Sequence, residues 1–119
     1  IAISPDGGMT WADQRFDAAL VEPICQASIR RHTWPGPDGP GALLFSNPAS
    51  AKGRVRMTVR LSRDEGKTWP VSRLIHAGGS AYSCLAVLPD GTVGLLYERG
   101  GYRTITFARF TLGWLEGNE

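Results

Sequence analysis

Two octapeptides carry the densest grouping of polar side chains in the chain. Ser4-Pro5-Asp6-Gly7-Gly8-Met9-Thr10-Trp11 returns 58 positions later as Ser62-Arg63-Asp64-Glu65-Gly66-Lys67-Thr68-Trp69. A carboxylate, a hydroxyl and a Gly within eight residues could suggest a calcium loop. The ligand count is too low, and the Asp-rich spacing of a calcium hand is absent. The other chemistry is internal: an Asp side chain accepts backbone N–H groups, Gly supplies positive φ, and Trp packs beneath the turn. Ser4, Asp6, Gly8, Thr10 and Trp11, with Ser62, Asp64, Gly66, Thr68 and Trp69, are therefore expected to be structural. Other constellations fail on spacing. Ser83 and Cys84 have no nearby His to activate them, and His32 and His76 stand alone, which makes no metal site. Cys25 and Cys84 form neither a disulfide framework nor a zinc site and are expected to be buried free thiols.

Such turns need sheets to join. The chain has 119 residues, 13 Lys+Arg against 11 Asp+Glu and 42% hydrophobic residues, enough for one small ordered domain. A net charge of +2 with scattered Arg argues against nucleic acid or an anionic membrane as partner. No run approaches the ~18 apolar residues of a membrane span. A second echo, Pro37-Asp38-Gly39 with Leu43-Leu44-Phe45 against Pro89-Asp90-Gly91 with Leu95-Leu96-Tyr97, is shifted by 52. Both shifts imply repeating units of about 50–60 residues. Residues 54–61 alternate apolar and polar, as a strand with one buried face does. Strands are expected near 26–32, 41–46, 54–62 and 72–77, then 82–88, 92–98 and 102–111, with a short helical turn within 13–21. The fold class is all-β, about two four-stranded antiparallel blades of a β-propeller. Residues 1–25 would end one blade, 26–78 form a full blade and 79–119 most of the last. Ile1-Ala2-Ile3-Ser4 reads as the end of a strand, so the chain is expected to begin mid-fold, and two blades cannot close a ring.

Further segments narrow the meaning of the octapeptide. Phe45-Ser46-Asn47-Pro48 precedes Arg54, and Thr58-Val59-Arg60-Leu61-Ser62 runs into the second octapeptide. Ser80-Ala81-Tyr82-Ser83-Cys84-Leu85 is followed by Leu95-Leu96-Tyr97-Glu98. The octapeptide resembles the Asp-box, or bacterial neuraminidase repeat, which several propeller families share. Together, over about residues 1–112, these segments resemble the C-terminal third of an exo-α-sialidase (neuraminidase), a six-bladed propeller. The resemblance implies about 250 residues upstream, at about 50 residues per blade.

It also implies roles. Tyr82 would be the nucleophile at the anomeric carbon of sialic acid. That carbon bears a carboxylate, which repels an anionic nucleophile and favours a neutral phenol. Taken alone, a strand Tyr is a packing residue. Arg54, 28 positions before Tyr82, would be one of three Arg gripping the substrate carboxylate, for which a planar two-donor guanidinium is suited. Arg56 and Arg60, on the same strand face, are expected to be solvated. Glu98 would support another Arg of the triad and, with that Arg upstream, stand unpaired here. Glu22 follows the first octapeptide, whereas the family's Glu precedes it, so Glu22 is expected to be structural. The acid/base Asp, the Glu that activates the Tyr and two Arg would lie outside these residues.

The reaction so implied is retaining hydrolysis of terminal sialic acids from sialylated glycoconjugates, with no metal and no cofactor. The 119-residue chain alone is expected to be inactive. A secreted or extracellular bacterial enzyme is the expected setting, with a lysosomal type as the alternative. Two rival readings share these features: a non-catalytic Asp-box propeller binding glycans or proteins, and a trans-sialidase.

Overall fold

The computed structural model describes residues 1–118; Glu119, the end of the expected third segment, lies outside the described residues. Six antiparallel strands follow one another in space as in sequence: β1 Ser28–Thr33, β2 Ala42–Pro48, β3 Val55–Ser62, β4 Val71–Val87, β5 Val93–Arg99 and β6 Thr104–Phe110. A short helix, α1 Leu112–Glu116, follows. Among the described residues no helix is long and apolar enough to cross a membrane.

The strands sit where apolar residues recur and where Pro-Asp-Gly turns intervene. Leu44, Met57, Val59, Leu61, Val93 and Leu95 are fully buried and form one core with Leu85, Tyr97, Phe110 and Leu115. Each such side chain contributes about 1.5–3 kcal/mol on leaving water, an upper figure because the unfolded chain already buries part of it.

Two of the seven expected strands, 72–77 and 82–88, are one. β4 runs 17 residues without a break. From Val71 to Gly79 it pairs with β3, and from Ser80 to Val87 with β5. The expected boundary at 78/79 thus falls inside a strand. Gly78 and Gly79 stand at that boundary, yet neither has positive φ. Their use is spatial. A Cβ on Gly78 would stand 2.9 Å from Nε2 of His76, and one on Gly79 would stand 3.4 Å from the Gly101 nitrogen. Bare backbone lets the strand pass from one sheet to the next.

One other expectation changes, and one element was not expected. Residues 13–21 hold no helix, only a turn in which the Leu20 N–H donates to the Asp17 carbonyl at 3.1 Å. Beyond Thr111 the chain forms α1, for local reasons. The Thr111 hydroxyl accepts the Trp114 N–H at 2.9 Å, and Gly117 closes the helix at φ 84°. Arg63 donates to Glu116 at 2.6 Å, and the Arg73 guanidinium lies 4.2 Å from the Trp114 ring, so α1 is held to the second octapeptide and to β4.

Candidate active site

Both octapeptides build the same turn. In the first, the Gly8 N–H donates to the Ser4 hydroxyl (2.7 Å), the Thr10 N–H to Asp6 Oδ1 (2.8 Å) and the Thr10 hydroxyl to Asp6 Oδ2 (2.7 Å). In the second, Gly66 donates to Ser62 (2.9 Å), the Thr68 N–H to Asp64 Oδ1 (2.9 Å) and its hydroxyl to Oδ2 (2.6 Å). Gly8 and Gly66 have φ of 95° and 80°, where a side chain is disfavoured. The Thr hydroxyl, the Thr N–H and the Ser hydroxyl hold both carboxyls down, to about 2 from 3.8. The surroundings differ: Trp69 is buried against Phe45, whereas Trp11 is exposed. The second turn joins β3 to β4 at the end of β3 away from Arg54, a strand length of roughly 25 Å. The second octapeptide therefore stands apart from the groups described next.

Arg54, Tyr82 and Glu98 come together from three elements. Arg54 lies just before β3, Tyr82 in β4 and Glu98 in β5. The Arg54 Cζ stands 5.6 Å from the centre of the half-exposed Tyr82 ring, within cation–π range. The Tyr82 N–H donates to Glu98 Oε2 at 3.0 Å. The cause is local. The β4–β5 register shifts between Ser80 and Ser83, and such an irregularity re-aims side chains and frees backbone groups of the ladder. Glu98 takes up the freed N–H, so it is not the unpaired carboxylate expected from the sequence. The backbones are tied too, since the Ser80 N–H donates to the Arg54 carbonyl at 2.9 Å.

Arg54 is bracketed. Its Nη1 donates to the Tyr102 hydroxyl at 2.9 Å and its Nη2 to the Ile24 carbonyl at 3.0 Å. The Tyr102 hydrogen bond raises the pKa of an already cationic group, and a guanidinium's five N–H groups leave three for a ligand. Tyr82, Glu98, Gln26, Ser83, Cys84 and Tyr97 line an open cavity of about 240 Å³, and Arg54 and Tyr102 line a neighbouring one of about 60 Å³.

The rejected candidates mostly lie at the margins. Arg56 is exposed at φ 66°, where the β3–β4 register also shifts, so it does not share a regular strand face with Arg54. Arg60, expected in solvent, is half-buried near Asn47 Oδ1, and burial lowers its pKa. Cys84 is exposed rather than buried, because residues 82, 84 and 86 of β4 face outward while 81, 83 and 85 face the core. Cys25 is partly buried, and desolvation raises its thiol. Glu22 accepts the Cys25 N–H at 3.1 Å in its own loop.

The sequence reading missed Tyr102 and Gln26. Tyr102, expected to open the strand 102–111, lies in the loop before β6 and reaches Arg54 from there. No local signal marks Gln26, whose partner is 57 positions away. Ser46 and Asn47, read only as part of a pattern, are fully buried. Ser46 bonds the Ser83 hydroxyl at 2.8 Å, and Asn47 donates to the Val21 carbonyl at 2.7 Å.

No protein-family model matches the sequence. Individual proteins do. A sialidase of Micromonospora viridifaciens is 45% identical over 98% of this chain and 18% of its own length. A sialidase of Bacteroides fragilis is 39% identical over 82% of this chain and 19% of its own. The solved leech intramolecular trans-sialidase, complexed with 2,7-anhydro-Neu5Ac, covers 99% of this chain and 21% of that one, with 29% identity and a TM-score of 0.83. The chain spans about a fifth of the length of these relatives.

Proposed function

Because the chain is a homologue of sialidases along nearly all its length and shares their all-β fold, we propose that it is part of a retaining exo-α-sialidase whose remaining propeller blades lie in a longer parent protein. The substrates are sialylated glycoconjugates, and the parent is a secreted or extracellular bacterial enzyme. The observation that carries this reading is the meeting of a half-exposed phenol and a guanidinium, 5.6 Å apart, above a carboxylate-anchored strand irregularity.

In this reading Arg54 takes the substrate carboxylate with its free N–H groups, setting the anomeric carbon over Tyr82. The Tyr82 oxygen forms a bond to that carbon as the bond to the aglycone oxygen breaks. The phenolic proton passes to a carboxylate base, and the aglycone takes a proton from an acid, both supplied elsewhere in the parent. Water then attacks the same carbon and gives a proton to the now deprotonated acid. The bond to the Tyr82 oxygen breaks as the phenol regains its proton from the base, and two inversions give retention. Glu98 keeps the Tyr82 backbone in place and braces a further Arg. With base, acid and two Arg elsewhere, the 119 residues alone turn over no sialoside.

In the full-length parent, Tyr82→Phe is expected to lose most turnover of a fluorogenic sialoside while still binding sialic acid. Unchanged turnover would reject the reading, and a glycan-binding propeller would be indifferent to the change. The leech structure favours weighing a second outcome. An intramolecular transfer releases 2,7-anhydro-Neu5Ac, whereas hydrolysis releases the free acid, and mass spectrometry of the product separates them.

A further inference from the structure

We propose that Gln26 is a positioning residue for Tyr82, acting through the backbone of Ser83; this rests on the reading of Tyr82 as nucleophile. The Ser83 N–H donates to Gln26 Oε1 at 3.1 Å, and Gln26 Nε2 donates to the Ser83 carbonyl at 3.2 Å. One side-chain amide thus takes both main-chain groups of the residue after Tyr82, as a neighbouring strand would. Two residues on, the Leu85 N–H donates to the Ser28 hydroxyl at 3.0 Å. Side chains before and at the start of β1 therefore cap the edge of β4 that β5 leaves free.

Three observations give this clasp its consequence. The ladder with β5 is irregular between Ser80 and Ser83, so regular pairing does not hold Tyr82. Among the described residues the Tyr82 hydroxyl has no hydrogen-bond partner and the residue is 49% exposed, so the backbone sets the direction of the phenol. That backbone is gripped on one side by Glu98, through the Tyr82 N–H, and on the other by Gln26. Gln26 lines the same cavity as Tyr82, a position from which a free amide would contact a ligand. Its amide is otherwise engaged: the other Nε2 hydrogen goes to the Ala27 carbonyl at 2.8 Å. Both donors and one acceptor site serve the main chain.

The test uses the full-length parent and two variants. Gln26→Leu keeps the side-chain bulk and loses the clasp. Its kcat is expected to fall about 10–100-fold, the scale of a displacement of about 1 Å at a reacting group, with KM changed less than about threefold. Gln26→Glu is the rescue. As a carboxylate it sets an oxygen against the Ser83 and Ala27 carbonyls; once protonated it regains one O–H donor and one acceptor. Its kcat relative to wild type is therefore expected to rise as pH falls. Tyr82, Cys84 and Glu98 on β4 and β5, and Glu22, Cys25 and Arg54 around them, titrate or carry charge in both proteins, and the ratio divides out their effect. A purely structural staple would lower melting temperature without this pH-dependent kcat ratio.

Amide exchange at Ser83 supplies a readout independent of turnover and is expected to quicken in Gln26→Leu. A kcat within twofold of wild type in both variants overturns the proposal, as does a flat Gln26→Glu ratio. Full turnover in Tyr82→Phe would overturn the sialidase reading and this role with it. Quickened exchange with an unchanged kcat would leave the sialidase reading standing and remove Gln26 from its mechanism.

Discussion

At the scale of the residue, the two octapeptide carboxylates convert local hydrogen bonds into pH dependence. Asp6 and Asp64 titrate at about 2 in the folded protein against 3.8 ordinarily. The folded state thus favours the ionised form, and the resulting stability is present above the unfolded pKa. It is lost as pH falls from about 4 toward 2. Melting temperature followed from pH 5 to 2 is expected to drop through this window, and less steeply in Asp64→Asn. This part of the molecule was legible in eight residues, because every bond of the turn joins residues two to four apart. Glu98 was not: its expected isolation assumed that only an Arg could engage it, and the partner is the Tyr82 amide.

At the scale of the element, β4 carries both the fold and the site. Its first half completes one sheet and its second half opens the next, so a single strand sets where Tyr82 stands relative to Arg54. Ser46 and Ser83 fasten that arrangement from within. The Ser46 hydroxyl bonds the Ser83 hydroxyl at 2.8 Å, and the Ser83 hydroxyl donates to the Ser46 carbonyl at 3.2 Å. Both residues are buried. Replacing Ser83 leaves the Ser46 hydroxyl and carbonyl without these bonds, at about 1–3 kcal/mol, whereas replacing Ser46 leaves the Ser83 hydroxyl its bond to the Ser46 carbonyl. Ser83→Ala is expected to lower urea stability by that amount, Ser46→Ala by less, and the double variant by less than the sum. Additive losses would show that the pair does not interact. Strand positions were readable from period-two alternation and Pro-Asp-Gly turns. The continuity of β4 was not, since Gly78-Gly79 reads alike whether the chain breaks there or passes between sheets.

At the scale of the whole molecule, one sheet face remains apolar and open. Leu96, Ile105 and Phe107 are about half exposed or more, next to the cavity that Tyr82 and Glu98 share. Apolar surface of this kind drives association. Produced by itself, the 119-residue chain is expected to self-associate in light scattering at micromolar concentration. Ile105→Thr with Phe107→Thr is expected to reduce this, and a monomeric wild-type chain would contradict the expectation. The sequence by itself determined what is short in range: the octapeptide turns, the strand periodicity and the pattern shared with sialidases. The tertiary structure alone decided the convergence of Arg54, Tyr82 and Glu98, the bracket of Arg54 by Ile24 and Tyr102, and the clasp of Ser83 by Gln26. The reason is physical: Arg54 and Tyr102 are 48 positions apart and Gln26 and Ser83 are 57 apart. Such contacts follow from how sheets pack, which no local alternation of apolar and polar residues encodes.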